Sequence, residues 1–90
     1  MRKDIIAAEF ARRAKRFNLG IEPMKIELWG LFSWGAISKM VKSGEIIPNT
    51  GYSKINKTLW CRPSEDFYNS HIAPLMEKPL DELSRMAGRG

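Results

Sequence analysis

Ile6, Phe10, Ala14 and Phe17 return to one side of a helix drawn from Arg2 to Phe17, while Arg12, Arg13, Lys15 and Arg16 crowd its other sides. That spacing predicts an amphipathic N-terminal helix. Asp4 near the positive end of the helix dipole and Arg16 near the negative end agree with it, and Asn18 and Gly20 are stop signals. Residues 23 to 32 are expected to form a second, short helix with Pro23 in its first turn and Ile26 and Trp29 facing the core. Gly30 weakens its end, and the tight Gly30-Leu31-Phe32-Ser33 connection swings the chain into the next element.

The run from Trp34 to Asn49 carries Ile37, Met40 and Val41 at i, i+3 and i+4, one apolar stripe at the helical period. Ser38, Lys39 and Lys42 lie off that stripe. Ser33 can cap the start of this helix, and Gly44 is placed to end it in a left-handed conformation. Ile46 and Ile47 then read as a short strand and Thr58 to Cys61 as its return partner. The connection between them, PNTGYSKINK, has Pro48, Asn49 and Gly51 as turn formers and Lys54, Asn56 and Lys57 near its tip. It is longer than a tight hairpin requires. A short helix followed by a basic hairpin predicts a winged helix-turn-helix, with the helix in the DNA major groove and the hairpin on a neighbouring backbone or minor groove. Trp29 and Trp60 are expected beneath the recognition helix, and Trp34, in its first turn, faces either core or DNA, with the core favoured.

Beyond the hairpin, Ser64 can cap a helix reaching about Ile72, with Glu65 and Asp66 in its first turn and Phe67 docking it. Pro74 ends that segment. Pro79 starts a last short helix with Leu80, Leu83 and Met86 at i, i+3 and i+6, closed by Gly88. This stripe, with Leu75 and Met76, is expected to complete the core; its other reading is a surface for a second copy or a partner.

At 90 residues and 43% hydrophobic, the chain supports one domain: an N-terminal helix in 1–20, a helix-turn-helix and wing in 21–68, and a helical extension in 69–90. The expected class is mainly α with a small β-hairpin. Fifteen Lys and Arg against ten Asp and Glu give a formal charge of +5. Position matters more than total: residues 1–20 carry +4, residues 21–57 carry +2 and residues 58–90 carry −1. A basic first half suits a one-sided face for a phosphate backbone, because neutralising phosphates releases counterions. One Cys and one His, no phosphate-cradling glycine loop and no metal-ligand spacing argue against an enzyme, a metal site or a cofactor. No apolar stretch reaches membrane-spanning length and no secretory core is seen, so the expected location is the cytoplasm, with no membrane and no small-molecule substrate.

The order GAISKMVKSGEIIP, then the basic connection, then TLWCRPSEDF resembles the phage excisionases of the Xis and Cox type, small winged-helix proteins with a broader likeness to the MerR-like DNA-binding head. The likeness spans residues 21 to 68. Ser38 and Lys39 stand where that family carries an arginine pair, and lysine lacks the planar fork that pairs with guanine. The resemblance implies a recombination directionality factor or repressor that binds duplex DNA, self-associates cooperatively on tandem sites and assists an integrase. The DNA-contacting set is then Ser33, Trp34, Ser38, Lys39 and Lys42 from the helix and Lys54, Asn56 and Lys57 from the wing. Arg12, Arg13 and Arg16 of the first helix are added as phosphate contacts. Two other readings stand beside it: a small inhibitor that binds a host enzyme through its C-terminal stripe, and an RNA-binding regulator that uses the arginine-rich first helix.

Overall fold

The computed structural model describes residues 3–27, 34–51, 53 and 55–88. Its elements are α1 (Lys3–Phe17), β1 (Met24–Glu27), α2 (Trp34–Lys42), β2 (Ile46–Pro48), β3 (Thr58–Pro63), α3 (Glu65–Phe67) and α4 (Leu80–Met86). Between α3 and α4 the chain passes through a π-helical turn (Tyr68–Ile72) and a 3-10 turn (Ala73–Leu75). The protein is thus mostly helical, with four α-helices and a three-stranded antiparallel sheet among the described residues.

α1 is the centre of the molecule. Every residue from Ile5 to Arg12 is buried, as is Ala14. A helix buried around most of its circumference packs neighbours on several sides, and α1 lies against α4, the π-helical turn and β1. This corrects the expectation of a helix with one apolar side and an open cationic one. Asn18, at φ +56°, turns the chain out of the helix, and Leu19 N–H donates back to the Ala14 carbonyl at 2.8 Å.

The second correction concerns residues 23 to 32. Met24–Glu27 is a strand, pairing Met24 with Cys61, Lys25 with Trp60, Ile26 with Leu59 and Glu27 with Thr58. Met24 and Ile26 are buried while Lys25 is exposed, the period-2 signature of a half-buried strand. Ile26 faces the core as expected, but from a strand; Trp29 and the rest of that segment lie outside the described residues. β2 pairs with the other edge of β3, Ile46 opposite Pro63 and Ile47 opposite Arg62, giving the order β1-β3-β2. The strands on either side of the long connection are therefore a paired hairpin.

α2 ends as its sequence indicates. Gly44 adopts φ +84°, its N–H donates to Val41 O at 3.1 Å, and Glu45 N–H donates to Met40 O at 3.0 Å. Those two bonds form a Schellman cap. Ser64 Oγ accepts from Phe67 N–H at 3.1 Å and starts α3. The following turn is π-type, with Ala73 N–H donating to Tyr68 O, and Pro74 sits in the 3-10 turn after it. Leu83 is fully buried and Met86 packs partly buried against the core, whereas Leu80 is exposed. The C-terminal stripe thus completes the core through Leu83 and Met86. One cluster joins Ile6, Phe10, Ile26, Ile37, Ile46, Leu59, Phe67 and Leu83, so all seven elements share a single core.

Candidate nucleic-acid interface

α2 buries Ile37 and Met40 and turns Trp34, Gly35, Lys39 and Lys42 to solvent. Trp34, Ser38 and Lys42, at i, i+4 and i+8, form one outward ridge, with Ser38 half-buried. Trp34 is 44% exposed, so it does not fill the core. On one flank of the ridge, Trp34 and Val41 face Pro48, Asn49, Thr50, Gly51 and Leu59 across a cleft of about 460 Å³. On the other flank, Lys39 borders a hollow of about 280 Å³ lined also by Lys3, Met40, Ser43 and Glu45. Lys3, which sequence reasoning left unassigned, reaches this side from α1 and bonds Glu45 Oε2 at 2.8 Å.

The hairpin leaves the sheet in an ordered way. Asn49 and Thr50 N–H both donate to Trp60 O, at 2.8 and 3.2 Å, and Ser53 forms an antiparallel bridge with Thr58. Ser53 Oγ accepts from Asn56 N–H at 3.2 Å, and Lys57 takes φ +52° to close the tip. Asn56 and Lys57 are exposed there beside Ile55, which is 92% exposed. Ser33 and Lys54 lie outside the described residues.

The arginines of α1 are placed elsewhere. Arg12 is buried: its Nε donates to Glu9 Oε1 at 2.9 Å and its Nη2 to Glu9 Oε2 at 3.1 Å, with Glu27 Oε1 at 3.9 Å. Burial works against the charged guanidinium, but the Glu9 hydrogen bond and the charges of Glu9 and Glu27 together outweigh it, raising its pKa. Arg13 Nη1 pairs with Glu27 Oε1 at 3.2 Å, and Lys15 Nζ donates to the carbonyls of Met76 and Lys78 at 3.1 and 2.7 Å. Arg12 is therefore an internal ion-pair partner, while Arg13 and Lys15 are held by Glu27 and by the carbonyls of Met76 and Lys78. Arg16 alone of the three expected arginines is exposed.

The sheet has its own outward surface. Trp60, expected in the core, is 43% exposed on the face of β3 opposite buried Leu59 and Cys61. Burial drives the Cys61 thiol up to about 12, which keeps it protonated, while His71 is exposed and stacks on Phe67 with ring centroids 5.1 Å apart. No group of three or more potential metal ligands occurs among the described residues, and no helix among them is long and apolar enough to cross a membrane. Comparison of the chain with protein-family models, curated proteins and solved structures finds no match.

Proposed function

We propose that this chain is a duplex-DNA-binding protein of the winged-helix, excisionase-like kind, with α2 in the major groove and the β2–β3 hairpin on the flanking groove or backbone. The observation that carries the reading is the placement of an outward α2 face beside a hairpin. Trp34 and Val41 of α2 share a cleft with Pro48, Asn49, Thr50 and Gly51 at the base of a paired hairpin whose tip exposes Asn56 and Lys57. Lys39 and Lys42 supply phosphate or base contacts, and Asn49 and Thr50 line the cleft between helix and wing. As an excisionase-like factor it would bend its site, self-associate on tandem repeats and help an integrase, or act as a repressor. A smooth bend over a short site costs on the order of 1–6 kcal/mol, which added contacts between protein and DNA must offset.

The test is duplex binding across a salt series for the wild type and for Lys39→Ala/Lys42→Ala. Both side chains are exposed, so the fold should survive, as circular dichroism would verify. The expected result is weaker binding and a salt slope reduced by about 2, one per lost phosphate contact. Unchanged affinity and slope in a folded variant would remove this face from the interface.

A further inference from the structure

We propose a second site, for single-stranded nucleic acid, in the cleft between the end of α1 and the outer face of the sheet. This site does not depend on the duplex reading. The cleft holds about 470 Å³ and is lined by Arg13, Phe17, Leu19, Pro23, Lys25 and Trp60, with Met24 at its floor. Phe17 is 54% and Trp60 43% exposed, an unusual placement for two large rings in so small a protein. Side chains alternate along β3, so Leu59 borders the cleft beside α2 while Trp60 borders this one, on the opposite side of the strand.

Cations are interleaved with the rings. The guanidinium carbons of Arg13 and Arg16 lie 5.0 and 5.8 Å from the centre of the Phe17 ring. Lys25 is directly opposite Trp60 in the β1–β3 pairing and is exposed. Arg13 Nε is buried with no hydrogen-bond partner among the described residues. The nearby carboxylate of Glu27 is already held by Arg13, and Lys25 lines the cleft as an exposed cation.

Flat faces and positive charges at short intervals match a chain that alternates flat bases and phosphates. Single strands offer unstacked bases to aromatic rings and guanidinium planes, whereas a duplex keeps its bases stacked inside. An acidic peptide would satisfy the charges but leave the planarity of Trp60 and Phe17 without use.

The experiment measures binding of the full chain to a fluorescent oligothymidylate of twenty nucleotides, with polyglutamate of matched charge as competitor. The variants are Trp60→Leu, Trp60→Phe and Phe17→Ala. The expected result is that Trp60→Leu and Phe17→Ala each weaken oligothymidylate binding roughly tenfold, that Trp60→Phe retains most of it, and that duplex binding is unchanged in all three. Trp60→Leu keeps apolar bulk, so a folding defect would show as a loss of the duplex binding or of the circular dichroism signal. Equal binding by Trp60→Leu and wild type, or displacement of the oligonucleotide by polyglutamate at equal charge, would overturn the proposal; the latter outcome would assign the cleft to an acidic protein segment.

Discussion

Arg12 shows how much one buried charge can organise. Its guanidinium meets Glu9 through two nitrogens, and Glu9 Oε2 also accepts the backbone N–H of Glu27 at 3.1 Å. A buried carboxylate therefore ties α1 to β1, and Arg12 keeps that carboxylate neutralised. Removing one member of a buried pair strands the other in low dielectric, at a cost of about 3–5 kcal/mol. Arg12→Met is thus expected to lower stability by that amount in urea unfolding followed by tryptophan fluorescence, while Glu9→Gln/Arg12→Met recovers much of the loss. If the single and double variants were equally unstable, the pair would contribute only through packing. The i, i+3 spacing of Glu9 and Arg12 is visible in the sequence, yet it fits an exposed helix face equally well. What decides between the two is Glu27, eighteen residues from Glu9, and no local pattern announces that neighbour.

At the scale of elements, the segments that read correctly carry their determinants locally. α2 has its stripe and Gly44, α3 has Ser64, and the hairpin has apolar strands around a turn-rich connection. β1 had no such signal. Pro23 followed by Ile26 and Trp29 at i, i+3 imitates a helix start, and Met24 and Ile26 are too few to display alternation. Its strand conformation comes from pairing with β3, more than thirty residues away, which is a tertiary override of local propensity. The same pairing explains the exposure of Trp60, because β3 register places Leu59 and Cys61 inward and leaves Trp60 outward. Gly44 offers a clean measure of the local part. A Cβ added there meets nothing within 4 Å, so the cost of substitution is conformational only. Gly44→Ala should lower stability by about 1 kcal/mol, and Gly44→Asn by less, since asparagine enters the left-handed region more readily. Thermal unfolding of the two variants would check the order; Ala equal to wild type would mean that the cap relaxes.

Across the whole molecule, Glu45 is where separate parts of the chain meet. Its carboxylate bonds Lys3 of α1 and accepts Ser43 Oγ–H at 2.7 Å, and its carbonyl accepts the N–H of Ser64, just before α3. The start of α1, the corner after α2 and the end of the sheet are held by this one residue. The hydrogen bond from Lys3 is the main cause that lowers the Glu45 pKa from its ordinary value of 4.5; burial opposes it and the Ser43 hydroxyl assists. A folded-state pKa below the unfolded one means that the unfolded chain binds the proton first. The stabilisation is therefore complete above about pH 4.5 and is lost as pH falls through the depressed folded value. Both partners are partly open to solvent, Lys3 more so than Glu45, which limits the effect to below about 1 kcal/mol. Urea unfolding of wild type and Glu45→Gln should differ by a constant amount near neutrality. That difference should shrink below pH 4.5, because the protonated wild-type side chain becomes the neutral equivalent of the glutamine. A difference independent of pH down to strong acid would assign Glu45 to a purely steric role. High salt should shrink the same difference at pH 7, since Lys3 stands in water at one end of the pair.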